Sequence, residues 1–166
     1  MLFLNKRFFR LDLISQTFFT FKTKIMIAQE KAPMVISECI QKWIDAMNSG
    51  NVSVADDVFQ PDCIIHINGN PERDLSVENF KQMAAGILAA FPDIHFTIND
   101  QFTSGEKVST RWTAKGTNTG PFGEMPATGK RVEIEGFIID QVVNGKIAKR
   151  WELWDQMAMM QQLGVV

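Results

Sequence analysis

Cysteine and histidine are scarce in this chain, with two of each among 166 residues. Cys39 and Cys63 lack Cys-x-x-Cys spacing and sit among apolar residues, which excludes a disulfide framework and a thiolate zinc site. Buried free thiols in a reducing cytoplasm are the expectation. His66 and His95 have no carboxylate cluster at ligand spacing, so no metal is expected. No apolar run is long enough for a membrane span or the core of a signal peptide. There is no Gly-rich phosphate loop, Gly-x-Ser-x-Gly elbow or dinucleotide fingerprint, so neither a nucleotide cofactor nor acyl-enzyme hydrolysis is expected. A basic excess is missing too: 17 Lys and Arg stand against 19 Asp and Glu, too balanced for phosphate-backbone binding, which argues against nucleic acid.

What is present is an ordinary globular composition, 45% apolar and 22% charged, at the size of one domain. Charge is unevenly spread. Residues 1–25 hold Lys6, Arg7, Arg10, Lys22 and Lys24 against Asp12 alone, together with six of the 13 Phe residues. That stretch is read as lying outside the fold, a disordered extension upstream of a natural start at Met26. An amphipathic leader that touches a membrane or partner is the alternative. The domain is then residues 26–166.

Within it, Val35, Ile36, Cys39, Ile40, Trp43, Ile44 and Met47 form one helical stripe, started by Pro33 and stopped by Gly50. A helical turn over Val54 to Phe59 is expected to end at Pro61, followed by a short strand from Cys63 to Ile67. Ser76 caps a second helix with the stripe Val77, Phe80, Met83, Ala84, Ile87, Leu88 and Phe91, ended by Pro92. The period then changes to two at Ile94, Phe96 and Ile98. Strands follow at Val108 to Gly116, Val132 to Val143 and Lys146 to Trp154, the last two joined by Asn144-Gly145, a hairpin signal. Asp155 caps a terminal helix that Gly164 closes. Helices followed by three or four hairpin-ordered strands predict an α+β domain: a curved antiparallel sheet packed against N-terminal helices, enclosing a pocket.

Arg111-Trp112-Thr113-Ala114-Lys115-Gly116-Thr117-Asn118-Thr119-Gly120-Pro121-Phe122, Pro126-Ala127-Thr128-Gly129-Lys130, Asn144-Gly145-Lys146-Ile147, Trp151-Glu152-Leu153-Trp154-Asp155 and Gln162-Leu163-Gly164 stand in this order. Together they resemble the SnoaL-like polyketide (ester) cyclases of the NTF2-like superfamily, over roughly Met34 to Gly164. The resemblance implies a cone-shaped α+β fold, a homodimer, and an intramolecular aldol ring closure of a polyketide ester without metal or organic cofactor. It implies a general acid/base at Glu152, where the family usually carries Asp. Asn118 and Ile138 are further departures, the first from a histidine common among relatives, the second from a pocket histidine of the cyclases.

Glu152 alternates with Ala148, Arg150 and Trp154 on one strand face, with Ile147, Lys149, Trp151 and Leu153 on the other. If the first face lines the pocket, apolar walls including Trp154 raise the carboxyl's pKa and suit it to proton transfer at carbon. Otherwise it is a surface group paired with Arg150. The resemblance favours the pocket. His66 is either a donor to a substrate carbonyl or a satisfied core histidine. Trp43 and Trp112 are core residues or flat walls for an aromatic substrate. Arg150 binds a carboxylate or faces solvent, and Asn118 is carried as a substrate contact. The expected partner is a small apolar or aromatic substrate. A non-catalytic ligand-binding module, or a related hydrolase or isomerase, is the alternative.

Overall fold

The structure, a computed structural model, describes residues 38–69 and 74–166. The extension at 1–25 and the helix start at Pro33 lie outside the described residues. Helix α1 occupies 38–49, and Gly50 stops it at a φ of 76°. A 3-10 turn at Val52–Val54 and the one-turn helix α2 (Ala55–Val58) lead into β1 (Phe59–Ile67). There follow α3 (Val77–Ala90), β2 (His95–Ser104), β3 (Lys107–Thr117), β4 (Arg131–Val143), β5 (Lys146–Trp154) and α4 (Gln156–Leu163).

The strands make one open, curved sheet in the order β1-β5-β4-β3-β2. Strands β2 to β5 are antiparallel neighbours, as expected. Strand β1, the expected short strand, runs parallel to β5 and joins the four hairpin-ordered strands as a fifth, so the sheet is mixed rather than antiparallel throughout. A parallel pairing needs a long return connection, which α3 and the β2–β4 meander supply. The strand also begins earlier than expected, at Phe59, with Pro61 inside it. Pro61 is tolerated because β1 is an edge strand and its pairing lapses between Phe59 and Ile64.

Local chemistry fixes the remaining boundaries. The Ser76 hydroxyl accepts from the Asn79 N–H, and the Asp155 carboxylate from the Ala158 N–H at 2.8 Å. Asn144 and Gly145 both have positive φ, 53° and 76°, as a two-residue type I′ hairpin demands. Alternation breaks once in β5: pairing steps from Gln141–Lys149 to Val142–Ile147, leaving Ala148 as a bulge. Ile147, expected on the face opposite Arg150, is therefore buried with it.

Two apolar clusters fill the concave side. One joins α1, β1 and the start of α3, where Trp43, Phe59 and Phe80 pack ring on ring at 5.4–5.6 Å. The other joins the end of α3 to β3, β4 and α4. The long 118–130 loop is pinned over the end of α3 by Asn118, which is fully buried. Its Nδ2 donates to the carbonyls of Gly120 (2.8 Å) and Ala90 (3.3 Å), and its Oδ1 accepts from the Thr128 N–H (2.8 Å) and hydroxyl (3.0 Å). Gly120 allows this docking, because a Cβ there would fall 2.2 Å from the Ala89 carbonyl oxygen. Asn118→Ala strands these buried partners and is expected to lower unfolding free energy by about 2–3 kcal/mol in urea. An unchanged midpoint would contradict the clamp.

Candidate active site

Between the two clusters lies a cavity of about 200 Å³. Trp43 and Met47 of α1, Phe80 and Met83 of α3, the inner face of the sheet and Met159 of α4 wall it. The inner face is set by the strand period. Every even residue of β4 from Val132 to Val142 points inward apart from the side-chainless Gly136, and cross-strand register carries that face through β3 and β5. Thus Ile67, Glu152 and Ile138 form one row, and Ile65, Arg150, Asp140 and Val108 the next.

Arg150 and Asp140 are fully buried and joined at two points: Nε to Oδ1 at 2.8 Å and Nη2 to Oδ2 at 2.9 Å. The guanidinium is also within 5.0 Å of the Phe59 ring centre and 5.7 Å of that of Phe80. Burial works against the Arg150 charge, but Asp140 and then Glu152 outweigh it and hold its pKa above the ordinary value. Burial pushes the Asp140 carboxyl up, while Arg150 pulls it down through charge and hydrogen bonds.

Glu152 stands beside this neutralised pair. Its neighbours in the row are isoleucines, and its nearest cation, Arg150 Nη1, is 3.9 Å away, beyond hydrogen-bond reach. Among the described residues, its buried Oε2 has no hydrogen-bond partner. Burial pushes the Glu152 pKa up, Arg150 pulls against it, Asp140 adds to the rise, and the net shift is upward. A carboxyl in an apolar chamber with its pKa raised is a better proton acceptor as carboxylate than an ordinary glutamate and can return the proton it takes.

Of the residues singled out in the sequence, Trp43, Trp112, Arg150 and Trp154 line the cavity with Glu152. His66 and Asn118 do not. Ile65 and Ile67 are the inward residues of β1, so the period places His66 on the opposite face. There its ring stacks on Trp151 at 5.7 Å, and Nδ1 lies 2.6 Å from the Asp74 carboxylate. Asn118 spends all its hydrogen bonds within the loop clamp. Two residues of the site were missed, Asp140 and Gly136. Asp140 was visible as a carboxylate in the even-numbered apolar series of β4. A Cβ at position 136 would fall 2.2 Å from Trp112 Cζ2, so Gly136 is what lets the Trp112 indole lie against the sheet.

The raised Glu152 pKa has a stability consequence. Above the ordinary value of 4.5 the unfolded chain loses the Glu152 proton while the folded chain keeps it, so stability falls with rising pH until the folded pKa is passed. Glu152→Gln, which mimics the protonated form, removes that loss. Its melting temperature relative to the wild type is expected to be higher at about pH 8 than at about pH 5. A pH-independent difference would contradict the shift.

Residues 37–163 match the family model for SnoaL-like polyketide cyclase. No curated protein matches the sequence. Among solved structures, IdmH of Streptomyces antibioticus, assigned as a polyketide cyclase, is 29% identical, with 78% of this chain and 98% of that one covered at a TM-score of 0.69. A protein of Acidithiobacillus ferrooxidans with the same assignment is 26% identical, with 79% and 95% covered at 0.68. AclR of Streptomyces galilaeus, assigned as a hydroxylase, shares the fold at 22% identity, with 79% and 82% covered and a TM-score of 0.72. Helices on a curved mixed sheet, an apolar chamber beneath them and a family match across nearly the whole described region agree: the chain belongs to the SnoaL-like polyketide cyclase family, with its NTF2-like α+β fold.

Proposed function

We propose that this protein is a cofactor-independent acid/base enzyme that closes a ring in a small, apolar, ketoester-like substrate, with Glu152 as the proton-transfer group. The observation that carries the reading is the Glu152 carboxyl, whose Oε2 is buried without a hydrogen-bond partner among the described residues, set in an apolar cavity beside a charge-neutralised pair. As carboxylate it removes the acidic proton between two carbonyls, leaving an enolate. The enolate carbon attacks a second carbonyl of the same molecule, a C–C bond forms, and the protonated Glu152 returns its proton to the new alkoxide. A pKa raised toward neutrality suits both halves of this cycle. Trp43, Trp112 and Trp154 supply flat walls for an aromatic or polycyclic skeleton.

In this reading residues 26–166 are the functional unit, acting in the cytoplasm, in keeping with two buried cysteines, Cys39 and Cys63, that form no disulfide among the described residues. The protein works as a homodimer. Supporting that assembly, the outer face of the sheet presents Phe137 and Leu153 as exposed cross-strand neighbours, with exposed Ile139 in the next row. Light scattering is expected to give twice the chain mass for the wild type and the single-chain mass for Leu153→Lys. A wild-type monomer would contradict it.

One observation favours a second reading, a ligand-binding module: Ile138 lies directly across from Glu152 and gives it no polar partner. Exchange of the acidic C–H of β-ketoesters in D2O, followed by NMR, separates the two. The wild type is expected to accelerate exchange, and Glu152→Gln to lose about 100-fold or more of that acceleration. Equal rates in both proteins would remove Glu152 from the chemistry, and binding without acceleration by either would favour the module.

A further inference from the structure

Three buried side-chain polar atoms have no hydrogen-bond partner among the described residues: His66 Nε2, Trp112 Nε1 and Glu152 Oε2. The last two belong to side chains that line the same cavity. Buried donors and acceptors are almost always paired, so two complementary orphans at one cavity mark a place where a ligand completes the bonding.

Register puts the two residues on adjacent rows of the inner face. Trp112, Gly136 and Trp154 form one inner-face row, and Glu152 is the next inward residue of β5, about 7 Å along the strand from Trp154. The Trp112 ring lies over Gly136, where a Cβ would sit 2.5 Å from Cε2, the carbon bonded to Nε1. The six-membered ring of the indole and the carbon that bears Nε1 therefore lie over Gly136 of β4, the strand next to β5 and Glu152. Ile67, Ile134 and Ile138 are apolar, and Arg150 has committed Nε and Nη2 to Asp140.

We propose that the Trp112 indole N–H is the hydrogen-bond donor that holds the substrate's carbonyl oxygen beside Glu152, so that the site selects uncharged ketones and esters over carboxylates. The proposal rests on the reading of Glu152 as the proton-transfer group and adds the group that faces the oxygen. An indole N–H brings direction without charge. When the neighbouring C–H is lost, negative charge grows on that oxygen and the bond to Nε1 strengthens, which favours the enolate over the ketone. A ligand carboxylate finds no free counter-charge, because Asp140 already neutralises Arg150.

The test uses the full chain with 15N-labelled tryptophan. Of its four indole N–H signals, the one absent from Trp112→Phe belongs to Trp112. Titration with 2-tetralone and with tetralin compares two ligands of one skeleton that differ in a single carbonyl. The Trp112 signal is expected to move downfield with the ketone and not with the hydrocarbon, in the wild type and in Glu152→Gln alike. Trp112→Phe is expected to slow C–H exchange of 2-tetralone about tenfold or more. The same response to both ligands, or to neither, overturns the proposal. A ketone-specific shift without wild-type exchange would leave Trp112 as the carbonyl donor and remove the proton-transfer role of Glu152. Exchange that depends on Glu152, with an unmoved Trp112 signal, would do the reverse.

Discussion

The buried pair of Asp140 and Arg150 governs the electrostatics of the whole concave face. Two charges sealed under α1 and α3 are tolerable only because they meet at two points and because Phe59 and Phe80 flank the guanidinium. The consequence falls on Glu152, one inward step along β5. Were Arg150 unpaired, Glu152 would be its natural counter-ion and would stay ionised. With Arg150 already neutralised, burial among Ile67, Ile138 and Trp154 decides the protonation of Glu152. The ion pair is thus a device that leaves a neighbouring carboxyl alone.

The cavity follows from backbone features as much as from side chains. The bulge at Ala148 turns both Ile147 and Arg150 inward, which seats the ion pair over the first apolar cluster. Gly136 removes a side chain from the middle of β4 and lets the Trp112 indole take its place. The Asn118 clamp holds the 118–130 loop against α3, so that Phe122 reaches the cavity wall. Each is a small local departure from regular structure, and each shapes the same chamber.

Most of the fold was legible in the sequence because it is written in local signals: the cap residues Ser76 and Asp155, the Asn144-Gly145 turn, and the change of period after Pro92. The pairing of β1 with β5 was not, since a parallel contact between strands nearly 80 residues apart leaves no local trace and Pro61 reads as a terminator. The site was legible in part. Alternation along β5 put Glu152, Arg150 and Trp154 on one face, as found. The same alternation in β1 turns His66 away from Ile65 and Ile67, onto the outer face. Asn118 reads as a polar loop residue open to a ligand, and only its three-dimensional partners show that its hydrogen-bonding capacity is used up. The bulge at Ala148 has no sequence signature, so the shared burial of Ile147 and Arg150 required the structure.

The central claim is that Glu152 is held away from its ordinary ionisation by burial beside a neutralised pair. It is tested most directly by 13C NMR titration of the glutamate side-chain carboxyls, with the Glu152 signal identified by its loss in Glu152→Gln. The account predicts a Glu152 titration displaced clearly above the ordinary value of 4.5 and above those of the exposed glutamates. A Glu152 carboxyl that titrates with the surface glutamates would contradict it.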